Sequence, residues 1–218
     1  VTATGLSLSG TDAANYSLTS TSTTTTANVT AKALTLAAVT DTKTYDGTTS
    51  SGATVTVTGL EGNDTASVSQ AFTNKNVLGA NGSTLQVNSG YTINDGNSGN
   101  NYSVSTSSAA GTISQKALTV RANDDARFVT QADANNFSGV SYSGFAGLED
   151  ASVLGGTLSI SRTNAANNVS AGKYAGTLVA SGLTSGNYSI SYTNGDYRII
   201  PANQLLIKTS NVRSEERR

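Results

Sequence analysis

The chain alternates apolar and hydroxylated residues over short stretches. Val55 and Val57 stand among Thr54, Thr56 and Thr58, and the same period of two pairs Leu85 with Val87, Leu118 with Val120, Leu158 with Ile160 and Tyr197 with Ile199. Successive side chains on a strand face opposite ways, so each stretch predicts a half-buried β-strand. No window sustains a helical period. The weakly apolar stretches after Gly59-Leu60-Glu61 and Gly147-Leu148-Glu149 leave room for one short helix each. Between the strands lie Asp46-Gly47, Asn81-Gly82, Asp95-Gly96, Gly155-Gly156 and Asn194-Gly195. Such pairs suit turns with positive φ, and several are expected to close hairpins.

The pattern repeats. Asn-Tyr-Ser occurs at Tyr16, Tyr102 and Tyr188, successive tyrosines being spaced 86 residues apart. Lys32-Ala33-Leu34-Thr35 returns as Lys116-Ala117-Leu118-Thr119 after 84 residues, and Gly59-Leu60-Glu61 as Gly147-Leu148-Glu149 after 88. Ile113-Ser114-Gln115-Lys116 has a weaker echo in Ile200-Pro201-Ala202-Asn203. Markers with such near-equal offsets define a tandem array. Residues 1–32 read as the C-terminal part of a preceding module, 33–115 and 116–202 as full modules, and 203–218 as the start of another module or a charged tail. No spacer rich in Gly, Pro or Ser separates the strand at Ile113 from that at Leu118, which predicts stiff joints and an elongated rod of modules about 86 residues long. Tyr16, Tyr102 and Tyr188, each at a fixed point of its module, are expected in the core. The hydroxyl-rich run at residues 20–26 is expected to be exposed strand and hairpin.

Composition narrows the chemistry. Hydrophobic residues make up 36% and charged residues 12%, but the net charge is −1 and there is one proline, so an ordered β-protein with thin cores fits better than disorder. The chain has no Cys, His, Met or Trp. That removes disulfides, thiol catalysis, thiolate metal sites and the commonest general base. A pI near 5.3 argues against nucleic acid as a partner. No run approaches the roughly 18 apolar residues of a membrane span.

The remaining candidates are few. The turn at residues 95–101 places Asp95, Asn97 and Asn101 like ligands of a calcium loop. Asn100 stands where such a loop needs glycine and Thr106 where it needs a bidentate Glu, so an elaborated turn is the favoured reading. Glu61 with Asp64, and Glu149 with Asp150, read as solvated turns rather than carboxylate pairs, because no histidine or aromatic platform accompanies them. Lys32 and Lys116 are remote candidates for an isopeptide crosslink. Eight Asn-X-Ser/Thr sequons barely exceed the number that composition gives. No catalytic residue and no cofactor is expected, and calcium is the one ion with a candidate site.

Lys43-Thr44-Tyr45-Asp46-Gly47-Thr48-Thr49, after Ala33-Leu34-Thr35-Leu36, resembles the opening of the YDG domain. The second module, with Ala117-Leu118-Thr119-Val120, Gly172-Lys173-Tyr174, Gly186-Asn187-Tyr188-Ser189 and a closing segment Tyr192 to Ile200, resembles the MBG ("mostly β-grasp") domain. It departs at Arg127-Phe128-Val129, where an aromatic-Asp-Gly or Tyr-Gly is expected. The resemblance implies mainly β, β-grasp-like modules, with Tyr192 to Ile200 as a last hairpin. It also implies the stalk of a secreted, filamentous-haemagglutinin-like bacterial adhesin, exported by two-partner secretion through an outer-membrane transporter and often involved in biofilms. On that reading the modules contact their neighbours, and other regions meet exopolysaccharide or a cell-surface receptor. The rival is a carbohydrate-binding module that contacts matrix polysaccharide directly; it would need exposed aromatics on one face.

Overall fold

A computed structural model of the chain describes residues 1–166 and 169–206. Residues 207–218, including the charged end of the proposed tail, lie outside the described residues. The structure is nearly all β. A hairpin of β1 (Thr2–Thr4) and β2 (Ser22–Thr24) comes first, exposed throughout.

Residues 32–114 supply β3 (Lys32–Ala37), β4 (Thr42–Thr44), β5 (Thr56–Thr58), β6 (Thr65–Ser67), β7 (Gln70–Phe72), β8 (Ser83–Val87), β9 (Thr92–Asn94), β10 (Tyr102–Ser107) and β11 (Ala109–Ser114). Residues 116–200 supply β12 (Lys116–Ala122), β13 (Asp125–Phe128), β14 (Val140–Ser143), β15 (Gly155–Arg162), β16 (Gly172–Thr184), β17 (Tyr188–Thr193) and β18 (Gly195–Ile200). The two sets build the same pair of sheets. One is three-stranded, β10-β3-β5 or β17-β12-β14; the other is four-stranded, β4-β11-β8-β7 or β13-β18-β16-β15. The outer strand β10 runs parallel to β3, as β17 does to β12. The first set adds a small β6-β9 sheet.

Alternation along the central strands sets the cores. Leu34 and Leu36 of β3, and Leu118, Val120 and Ala122 of β12, are fully buried, whereas Ala33, Thr35 and Ala117 are not. Three clusters result. One, at the start of the first module, holds Leu34, Leu36, Val55 and Tyr102. Another, in the second, holds Ala122, Ile160, Leu178, Ala180, Tyr197 and Ile199. The middle one is shared: Tyr45, Phe72, Leu85 and Ile113 of the first module pack with Leu118, Ala146 and Tyr188 of the second. Only Gln115 separates β11 from β12, so the joint is continuous core.

Three expectations need correction. The glycine-containing turns do not generally close hairpins. Only Asn81-Gly82, at the end of the β7–β8 connection, joins paired strands; Asp46-Gly47, Asp95-Gly96 and Asn194-Gly195 carry the chain from one sheet to another, and Gly155-Gly156 opens β15. The closing segment is therefore a sheet switch, with β17 and β18 in different sheets. At Gly195 a Cβ would lie 2.4 Å from the Ala122 carbonyl oxygen, so the crossing requires glycine. Second, Tyr16 is 72% exposed, whereas Tyr102 and Tyr188 are 8% and 2% exposed. Burial of those two rings depends on a parallel neighbour strand, which residues 1–31 do not provide for Tyr16. Third, among the described residues helix is confined to 3-10 turns. Ala151–Val153, capped by Asp150, follows Gly147-Leu148-Glu149, whereas strand β6 follows Gly59-Leu60-Glu61.

Candidate functional site: the joint between modules

The joint is built from a turn that sequence marks plainly. In Tyr45-Asp46-Gly47, Asp46 Oδ1 accepts from Thr48 N at 2.9 Å, Thr48 Oγ1 at 2.9 Å and Lys43 Nζ at 2.9 Å. Burial opposes the charge on Asp46, but Lys43 and Thr48 outweigh it and hold the carboxyl down at about 2. Gly47 adopts φ +79°. The tight turn projects Tyr45 off the end of β4 into the second module, where the ring is 2% exposed.

The receiving surface is a socket. The Tyr45 and Tyr188 rings meet edge to face, centroids 5.4 Å apart, and Phe145 packs on Tyr188 at 5.5 Å. Between the phenols lies Glu149: Tyr45 OH donates to Oε1 at 2.7 Å and Tyr188 OH to Oε2 at 2.6 Å. Lys75 Nζ approaches Oε1 at 3.1 Å. Tyr188 OH also accepts from Ala146 N at 2.9 Å. Burial raises the Glu149 carboxyl, but the hydrogen bonds from Tyr188, Tyr45 and Lys75 outweigh it, leaving the group below its usual range. Burial, then the bond to Glu149, pushes the Tyr188 phenol up to about 12. Beside this trio, Asn187 bridges to the β7–β8 connection, accepting from Val77 N at 3.0 Å and donating to Asn76 at 2.9 Å. The arrangement is a locked contact: Tyr45, Lys75, Asn76 and Val77 of the first module pair across the joint with Glu149 and Asn187 of the second. It contains no nucleophile–base pair.

The first module carries a matching surface at its opposite end. Tyr102 OH donates to Asp64 Oδ2 at 2.5 Å and accepts from Glu61 N at 2.9 Å. Asp64 N donates to the Glu61 carbonyl, as Glu149 N does to that of Ala146. The glycines agree too. At Gly59 a Cβ would lie 2.5 Å from the Ala33 oxygen, and at Gly144 2.5 Å from that of Ala117. Gly62 and Gly147 share φ +54°. The true correspondence is therefore Gly59-Leu60-Glu61-Gly62-Asn63-Asp64 with Gly144-Phe145-Ala146-Gly147-Leu148-Glu149, an offset of 85 residues. The 88-residue match of Gly-Leu-Glu was out of register.

Glu149 also overturns its reading as a member of a solvated turn; Asp150 alone is exposed and caps Ser152 N. Lys32 is paired with Glu61. Asp95, Asn97 and Asn101 do come together, around the Asp95 carboxylate. Oδ1 accepts from Asn97 N at 2.9 Å and Gly99 N at 2.8 Å, and Oδ2 from Asn101 N at 3.2 Å. Asn97 Nδ2 donates to Asn101 Oδ1. These backbone donors, led by Gly99, pull the Asp95 pKa down. The carboxylate organises a turn that leads into β10.

In the second module Val129 takes the place of Tyr45. Its N–H donates to the Ile200 carbonyl as that of Tyr45 does to Ser114, and its side chain is 43% exposed. Residues 30–110 match the family model of the YDG domain, and residues 118–198 that of the MBG domain (YGX type). The chain contains one domain of each kind. Both kinds are typical of adhesin-type surface repeats rather than of enzymes. No curated protein and no solved structure matches the chain. Tyr45, the aromatic of the YDG domain's own signature, is thus the residue that enters the MBG domain.

Proposed function

We propose that this chain is a non-catalytic stalk segment of a large secreted bacterial surface adhesin of the filamentous-haemagglutinin-like, two-partner-secreted type. It would hold a distal binding region away from the cell for adhesion to other cells, matrix or host, as in biofilms. Its partners along the stalk are neighbouring modules, with an outer-membrane transporter engaged during export. The observation that carries this reading is the Tyr45–Glu149–Tyr188 joint. A surface that displays tandem domains gains reach only if the joints resist bending, and a shared buried core with paired polar groups does so where a linker would not.

Small-angle scattering of the chain tests the proposal. A compact particle of this length would have a radius of gyration of about 17 Å. The stalk reading requires a value well above that, with one extended envelope, and a broader distribution of envelopes for Tyr45→Ala. A wild-type radius near 17 Å sinks it.

A further inference from the structure

We infer that the Tyr102–Asp64 end of the YDG domain is a second socket, shaped to receive the Tyr-Asp-Gly turn of another YDG-type module stacked on it. The inference rests on the stalk reading and adds which surface mates with which. The filled socket of the MBG domain and this end share their tyrosine, carboxylate and glycine arrangement. Each has a tyrosine on a parallel outer strand whose hydroxyl donates to a carboxylate and accepts from a backbone N–H. Each has a left-handed glycine two residues before that carboxylate, and a bond from the first lysine of the central strand to the Asn carbonyl before the tyrosine.

What differs is occupancy. Both oxygens of Glu149 are engaged, one by Tyr188 and one by Tyr45 and Lys75. In Asp64, Oδ2 takes Tyr102, and among the described residues no donor reaches Oδ1. Residues 1–31 do not fill the place; among the described residues their hydrogen bonds stay within that segment. A phenol donor satisfies the vacant oxygen, which an aliphatic residue at the position of Val129 could not. Glu61, in place of buried Ala146, is held aside by Lys32. A glycine in the arriving turn leaves it space, as Gly47 does beside Ala146.

The test uses the full chain with a second copy of residues 32–115 inserted between Ala31 and Lys32. The wild-type chain has no cysteine, so introduced pairs report contacts cleanly. In the unaltered joint, Asn76→Cys with Asn187→Cys replaces two side chains in hydrogen-bond contact. In the lengthened chain, the copy's counterpart of Asn76 and the original Asn101 are replaced likewise. Both pairs should form a disulfide under mild oxidation, and Tyr→Phe at the copy's counterpart of Tyr45 should slow the second at least several-fold. A disulfide in the Asn76–Asn187 pair alone overturns the inference and leaves the stalk joint standing. Failure of both pairs removes the two together. An inserted copy that does not fold also counts against the inference, because the original shows that this sequence folds when its Tyr45 finds a socket.

Discussion

Replacing Glu149 by Gln keeps the volume of the joint and removes its charge. The carboxylate accepts from two buried phenols, and hydrogen bonds to a charged group contribute about 1.5–3 kcal/mol each. Gln offers one carbonyl oxygen, so one phenol keeps a neutral bond and the other faces an amide that donates rather than accepts. The loss is one charge-assisted bond and the weakening of a second, about 3 kcal/mol in all. For a body of this size that lowers the melting temperature by about 6–12 °C. Calorimetry should read it, together with Tyr45→Phe and the double variant. The double should melt much higher than additivity predicts, because both changes remove one contact. Glu149 titrates below its ordinary value of 4.5, so its stabilisation is full above that pH and fades as pH falls through the folded value. Wild type should therefore lose its advantage over Glu149→Gln in acid. A variant that melts within about one degree of wild type at pH 7, or strict additivity, would refute a joint locked by this carboxylate.

Other outcomes follow from the same structure. Asp133→Ala should cost about 3 kcal/mol by chemical denaturation, because the carboxylate binds Arg127, Arg162 and the Tyr197 hydroxyl, and the Arg162 side chain is only 3% exposed; a loss under about 1 kcal/mol would show that water or another group compensates. Gly144→Ala should cost about 2 kcal/mol or more, since φ is +117° and the new Cβ would meet the Ala117 oxygen at 2.5 Å; a neutral result would mean the β14 end shifts freely. Chelators should leave the melting temperature unchanged within about one degree, because the Asp95 carboxylate is already satisfied by backbone N–H groups. A rise of several degrees with calcium that Asp95→Asn abolishes would make the turn an ion site.

The strands and the two-module plan were legible because period two and the 86-residue spacing are local or repeated signals. Tyr102 and Tyr188 followed from that spacing, but Tyr16 did not. A repeat fixes where a ring sits in a module, whereas its burial needs the neighbouring strand to be in place. The Gly-Leu-Glu match misled because an identical tripeptide outweighed a sparser pattern of glycine, glycine and acid that the backbone obeys. Positive-φ pairs revealed turns without revealing which sheet the next strand joins. The joint itself was not visible. Tyr45 and Glu149 are 104 residues apart, and a carboxylate beside a glycine reads as surface until its phenol partners are known.

The direction of the outer strands has a mechanical consequence. Each domain enters through its central strand, β3 or β12, and its second-to-last strand, β10 or β17, runs parallel to that strand over six residue pairs. The last strands, β11 and β18, likewise run parallel to β4 and β13. Tension on the two ends of such a domain pulls parallel neighbours in opposite senses along their axes. The ladder is then loaded in shear, with its bonds strained together, rather than peeled one at a time as an antiparallel hairpin would be. Pulling the chain by its termini in a force microscope should give unfolding forces well above those for pulling across β15 and β16, whose antiparallel ladder can unzip.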